Sequence, residues 1–182
     1  VGAVITELDG EANLTFDGTT LTLGQGQIAF PATQNASAGA NVLDDYEEGT
    51  FTPAIADDTL SGAESQTYSR QVGRYTKIGN LVYITLRLTI TSLGTLTTTQ
   101  QARIIGLPFT SENVANSNSA VNIGNSGGLA LTTASEVATG LVTVNATDIQ
   151  FFIWDATTGT GTWVLSEVTG AGDLILSGCY RV

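Results

Sequence analysis

Between Leu81 and Thr91 apolar and polar side chains alternate without a break. Val82, Ile84, Leu86, Leu88 and Ile90 fall on one side of the chain, and Tyr83, Thr85, Arg87 and Thr89 on the other. A period of two over ten residues predicts a half-buried strand. Gly79-Asn80 precedes the run and Arg74 to Ile78 precedes that pair, which predicts a β-hairpin. Further strands are predicted at 102–107, 120–124, 128–133, 137–145, 147–154, 162–168 and 173–182. Turn residues separate most of them at even spacing, and no helical period extends beyond two turns. Residues 51–182 therefore predict an all-β head built as a jelly-roll-like β-sandwich. The apolar run Leu174 to Val182 predicts a strand tied into the sheet, with Cys179 buried within it.

The first 30 residues carry a different pattern. Gly2, Gly10, Gly18 and Gly26 recur every eight residues, and Asp precedes two of them in Asp9-Gly10 and Asp17-Gly18. Short alternating segments lie between, Leu14-Thr15-Phe16 and Leu21-Thr22-Leu23. Asp-Gly between such segments predicts tight turns. One such unit cannot cover its own apolar face. Stacking against identical chains would cover it, which predicts a shaft-like β repeat with Leu14, Phe16, Leu21 and Leu23 between subunits. An ordinary hairpin of the head is the alternative. Residues 31–50 read as a small, polar linker ending in the acidic string Asp44-Asp45-Tyr46-Glu47-Glu48. That string predicts a solvated turn, with Tyr46 packed inward. The chain starts at Val1 rather than Met, so it is expected to begin part-way through a longer protein.

Composition sharpens the picture. Charged residues make up 13% of the 182, against about 25% in an average domain. All six basic residues follow position 69, whereas eleven of the seventeen acids precede it. The net charge of −11 therefore sits on the first 69 residues. Such a surface repels phosphate backbones and anionic lipid, so neither nucleic acid nor membrane is an expected partner. No stretch approaches the roughly 20 apolar residues of a membrane-spanning helix. There is no histidine, which removes the commonest general base and a common zinc ligand. The single cysteine cannot form an internal disulfide, as expected for folding in a reducing compartment. No cofactor is predicted.

Three stretches resemble segments of tail-fibre and receptor-binding proteins of tailed bacteriophages. They are Asn41-Val42-Leu43-Asp44-Asp45-Tyr46-Glu47-Glu48-Gly49-Thr50-Phe51-Thr52-Pro53, then Val72-Gly73-Arg74-Tyr75-Thr76-Lys77-Ile78-Gly79-Asn80-Leu81-Val82-Tyr83-Ile84, then Gly106-Leu107-Pro108-Phe109. Where such proteins often carry Trp after the Gly-Thr, this chain has Phe51. The resemblance covers residues 31–110 and is weak beyond. It implies a homotrimeric virion appendage, with a shaft leading into a β-rich head and other virion proteins on the N-terminal side. It brings no catalytic residues with it.

Candidate sites follow from residue chemistry. Asp44, Asp45, Glu47 and Glu48 could offer oxygen ligands to calcium, but the EF-hand pattern is absent and no metal is predicted. Phe151-Phe152-Ile153-Trp154 and Trp163-Val164-Leu165 flank Thr158-Gly159, so a simple hairpin would set Trp154 opposite Trp163. Both faces of the first arm are apolar, which assigns one to the core and one, carrying Phe152, to a neighbouring subunit. The sharper reading has Trp154, Trp163 and Asp155 gripping a host sugar. Gly24-Gln25-Gly26 and Gly124-Asn125-Ser126-Gly127-Gly128 read as turns. Arg70, Arg74, Lys77 and Arg87 form the main basic cluster. A polysaccharide-degrading spike would need two carboxylates at a set separation. Asp148 and Asp155 are the close pair in the last hundred residues, and they fall at opposite ends of one strand. The expected function is therefore non-enzymatic host attachment. A head or neck fibre that touches no receptor is the alternative, and a degrading tailspike is less favoured.

Overall fold

The computed structural model of the chain describes residues 14–24, 26–34, 39, 41–129, 137–154 and 158–182. Two compact units separate at Asn35 and Ala36. Among the described residues every regular element is a strand except one 3-10 turn, Leu165–Glu167. No helix among them is long and apolar enough to cross a membrane.

In the first unit, β1 (Leu14–Phe16) pairs antiparallel with β2 (Leu21–Leu23), setting Leu14 opposite Leu23 and Phe16 opposite Leu21. The turn forms where Asp17-Gly18 predicts it. Asp17 Oδ1 accepts the N–H groups of Thr19 at 2.8 Å and Thr20 at 2.7 Å. Those two bonds hold its carboxyl below the ordinary value. Side chains two apart in a strand share a face, so the four apolar residues lie together. Phe16, Leu21 and Leu23 are exposed. The repeats marked by Gly2 and Gly10 lie outside the described residues.

The second unit is one ten-stranded sheet. Its members are β3 (Tyr46–Phe51), β4 (Ala54–Ala56), β5 (Thr67–Ile78), β6 (Leu81–Ser92), β7 (Arg103–Ile105), β8 (Ser119–Leu129), β9 (Ala138–Val142), β10 (Asp148–Ile153), β11 (Gly161–Thr162) and β12 (Val168–Arg181). They hydrogen-bond in the order β3-β5-β6-β12-β8-β9-β10-β7-β4, with β11 on β10. The expected two-sheet sandwich thus takes the form of a single curled sheet. Its outermost strands, β3 and β4, are joined by Thr52-Pro53 alone. Three Cα steps span at most about 11 Å, so the two ends of the sheet must come together. Pro53 has no N–H to extend a ladder there. Side chains close the seam instead: Tyr68 Oη of β5 accepts the Ile55 N–H of β4 at 3.0 Å, and Gln71 Nε2 donates to the Pro53 carbonyl at 3.1 Å.

The curl turns one face of every long strand into a common core. Val82, Ile84, Leu86, Leu88 and Ile90 of β6 are buried together with Ile55, Ile104, Ile149, Phe151, Leu174 and Leu176 from the rest of the sheet. The hairpin read from 74–91 forms as predicted, pairing Ile78 with Leu81 across Gly79-Asn80. Gly79 takes φ +57°, which glycine adopts without a side-chain penalty. β12 lies at the centre, between β6 and β8, so the C-terminal run is tied down as expected.

Four local expectations change. Residues 46–51 form strand β3, so the acidic segment belongs to the sheet rather than to a solvated turn. Tyr46 points outward, its hydroxyl donating to Glu48 Oε2 at 3.0 Å, and the buried residue of the string is Asp45. Gly124–Gly128 is not a turn but the middle of β8, which pairs with β12 through an irregularity at Ile175/Leu176. Cys179 is exposed, because Leu174, Leu176 and Tyr180 hold the buried parity of β12.

Candidate functional site

The three stretches that carry the resemblance meet in space. β3 and β5 pair so that Glu47 faces Lys77, Gly49 faces Tyr75 and Phe51 faces Gly73. Each glycine lies under the aromatic ring of its partner. A Cβ on Gly49 would come within 2.7 Å of Tyr75 Oη, and one on Gly73 within 2.7 Å of the Phe51 ring. Tyr75 Oη donates to Glu47 Oε1 at 2.5 Å. That bond first, then burial, pushes the phenol up to about 12. The Phe109 ring meets Tyr75 edge-on at 5.2 Å, and Lys77 Nζ lies 5.7 Å from its centroid. Tyr180 Oη donates to the Phe109 carbonyl at 3.1 Å.

Lys77 closes this junction by an ion pair with Asp45, both side chains less than a tenth exposed. Lys77 is therefore a buried member of the basic cluster, offsetting an acid of the first 69 residues within the chain. The parity of β5 turns Arg70 and Arg74 outward and Lys77 inward. Gly73→Ala is expected to cost about 1–3 kcal/mol, since the added methyl must displace a packed ring. Urea unfolding checks it; a loss under about 0.5 kcal/mol would show that Phe51 yields freely.

The acidic string does not assemble a calcium site within the chain. Asp45 is occupied by Lys77 and Glu47 by Tyr75, and strand alternation sends Glu48 to the opposite face. Among the described residues no three His, Cys, Asp or Glu side chains gather. Two acids do converge elsewhere. Arg103 contacts Asp58 Oδ1 and Asp148 Oδ2, each at 2.9 Å. Arg87 and Asp173 form a further ion pair at 2.7 Å.

Asp57 is buried without a cation. Its Oδ1 accepts the Thr59 hydroxyl at 2.7 Å and the Thr59 N–H at 2.9 Å, and its Oδ2 accepts the Thr97 N–H at 2.9 Å. Burial raises its pKa, but the combined hydrogen bonds outweigh that and leave it below 3.8. A carboxyl depressed in the folded state favours folding above the unfolded pKa, and that contribution disappears as pH falls through the folded one. Asp57→Asn is expected to cost about 1–3 kcal/mol at pH 7, because one amide end cannot accept. The difference from wild type should shrink below pH 4. Melting curves at pH 7 and pH 3 check this, and a gap that widens in acid would contradict it.

The two tryptophans separate. β10 and β11 pair Phe152 with Thr162 and Ile153 with Gly161, so the ladder sets Trp154 towards Thr160, not Trp163. Trp163 aligns with Phe151 instead, donating its backbone N–H to the Phe151 carbonyl at 3.2 Å. Its ring is fully buried, 5.2 Å from that of Phe151. It cannot stack on a sugar as the sequence expectation had it. Trp154 is 57% exposed. Its backbone N–H donates to the carbonyl of Val137, itself exposed. Phe152, on the outward parity, is half-buried. Asp155 lies outside the described residues. Of the two tryptophans, Trp154 is therefore the one that the structure presents to solvent.

No family model matches the sequence, and no curated protein matches it. The fold is similar to the crystal structure of the Dettilon tailspike protein, with a TM-score of 0.62 and 18% identity. The match covers 75% of this chain and 24% of that one, so the chain spans about a quarter of that protein's length. The likeness is one of fold.

Proposed function

We propose that this chain is the distal portion of a tailed-bacteriophage fibre or spike, a homotrimer that holds a virion to its host and performs no catalysis. The observation that carries the reading is the junction of the three resembling stretches. Residues quoted separately from the sequence pair directly as Gly49 with Tyr75 and Phe51 with Gly73, and Phe109 completes them. The likeness in fold to a tailspike supports the same setting. The apolar face of β1 and β2, with Phe16 and Leu21 more than half exposed, supports subunits that cover one another along a shaft. Leu14, Phe16, Leu21, Leu23 and Phe152 are the proposed subunit contacts.

The gripping residue in this reading is Trp154. An exposed indole gives a flat apolar surface for a pyranose ring, with an N–H left to bond a hydroxyl. The purified protein is expected to block adsorption of the parent phage to its host, and Trp154→Ala is expected to weaken that block about tenfold. Equal blocking by folded Trp154→Ala would remove Trp154 from the grip. No blocking by wild type would favour a head or neck fibre that touches no receptor.

The absence of catalysis is tested separately. Arg103 wedged between Asp58 and Asp148 supports it. Reducing ends released from host polysaccharide by the purified protein would overturn it.

A further inference from the structure

The sheet has a second face. On β3, β5, β6 and β12 the strand register lines up Tyr46, Ile78 and Leu81 in one row, with Tyr83 in the next. Val72 and Ile175 both pair with Arg87 two rows further on. These six large apolar side chains are each between 36% and 51% exposed. A soluble monomer buries such a group or scatters its members. Here they share one side of four adjacent strands.

We propose that this outer face is where copies of the chain meet. The inference rests on the homotrimer reading and names the surface that reading needs in the head. Size favours a protein partner. The exposed apolar area is on the order of 500 Å², a large share of the ~800 Å² each partner contributes to a stable interface. Chemistry disfavours a sugar, since four of the six side chains are aliphatic and offer neither a ring to stack on nor a hydrogen bond. Charge disfavours a membrane as the occupant, since an anionic surface would be repelled by the chain's net charge of −11.

Cys179, the sole cysteine, reports on this face directly. It is exposed in the single chain and pairs with Tyr83 across β6 and β12. The test measures its reaction with the disulfide reagent DTNB, alongside mass by light scattering. In the native protein Cys179 is expected to react about 100-fold slower than in guanidinium, because reaction must wait for subunits to part. Leu81→Arg and Tyr83→Arg, both surface changes in the monomer, are expected to lower the mass and raise the labelling rate together. A native trimer whose Cys179 reacts as fast as the unfolded chain overturns this assignment and leaves the trimer standing. A native monomer overturns both. Folded variants, judged by circular dichroism, that keep the wild-type mass also overturn it.

Discussion

Lys77→Ala is expected to lower the unfolding free energy by about 3–5 kcal/mol, the range seen when one partner of a buried ion pair is removed. The cause is the residue left behind. Asp45 would be left in a site less than a tenth exposed, with no cation against it. The Phe109 ring would lose the ammonium above it, and the contact joining the segment before β3 to the β5 strand would go. Against a typical total of about 5–15 kcal/mol, such a loss brings the head near unfolding at body temperature. Removing both charges is a different experiment. Asp45→Leu with Lys77→Met is expected to recover most of the loss, since well-packed apolar pairs replace buried ion pairs at little cost. Chemical denaturation of the two single variants and the double variant checks this. A Lys77→Ala loss below about 1 kcal/mol would show that water reaches Asp45.

Trp163→Ala is expected to cost about 3–5 kcal/mol, and Trp154→Ala less than about 0.5 kcal/mol. Composition treats the two residues alike; their surroundings do not. Trp163 is fully buried against Phe151 and fills space where the 3-10 turn and β10 meet. Truncation leaves a cavity that the surrounding strands cannot collapse to fill. Trp154 is more than half exposed, so its loss removes little packing. The pair separates stability from grip: one variant should unfold early, and the other should melt normally while adsorbing weakly. Thermal melts of both proteins check the contrast. Equal melting temperatures would contradict the register that sends one indole in and the other out.

Much of the fold was legible in the sequence because β-structure writes itself in alternation. The run from Val82 to Ile90 marked the core face of β6, and Gly79-Asn80 marked its hairpin. The inward course of Lys77 was legible too. A two-residue turn pairs Ile78 with Leu81, hence Lys77 with Val82, and Val82 lies on the apolar face. Alternation within β12 would likewise have placed Cys179 outward, on the parity opposite Leu174, Leu176 and Tyr180. What alternation cannot supply is the identity of distant partners. That Asp45 meets Lys77, or that β3 and β4 sit at the two ends of one sheet, depends on contacts between segments whose local patterns say nothing of each other. The tryptophans were misaligned because the loop between them was centred on Thr158-Gly159, whereas the ladder pairs Ile153 with Gly161.

Sedimentation or light scattering of the purified protein bears most directly on the whole account, because the proposed contacts of β1 and β2 and of the outer sheet face both require sister chains. The predicted result is a particle of three times the 18.8 kDa chain mass, unchanged on dilution to the nanomolar range. A stable, folded monomer would contradict it.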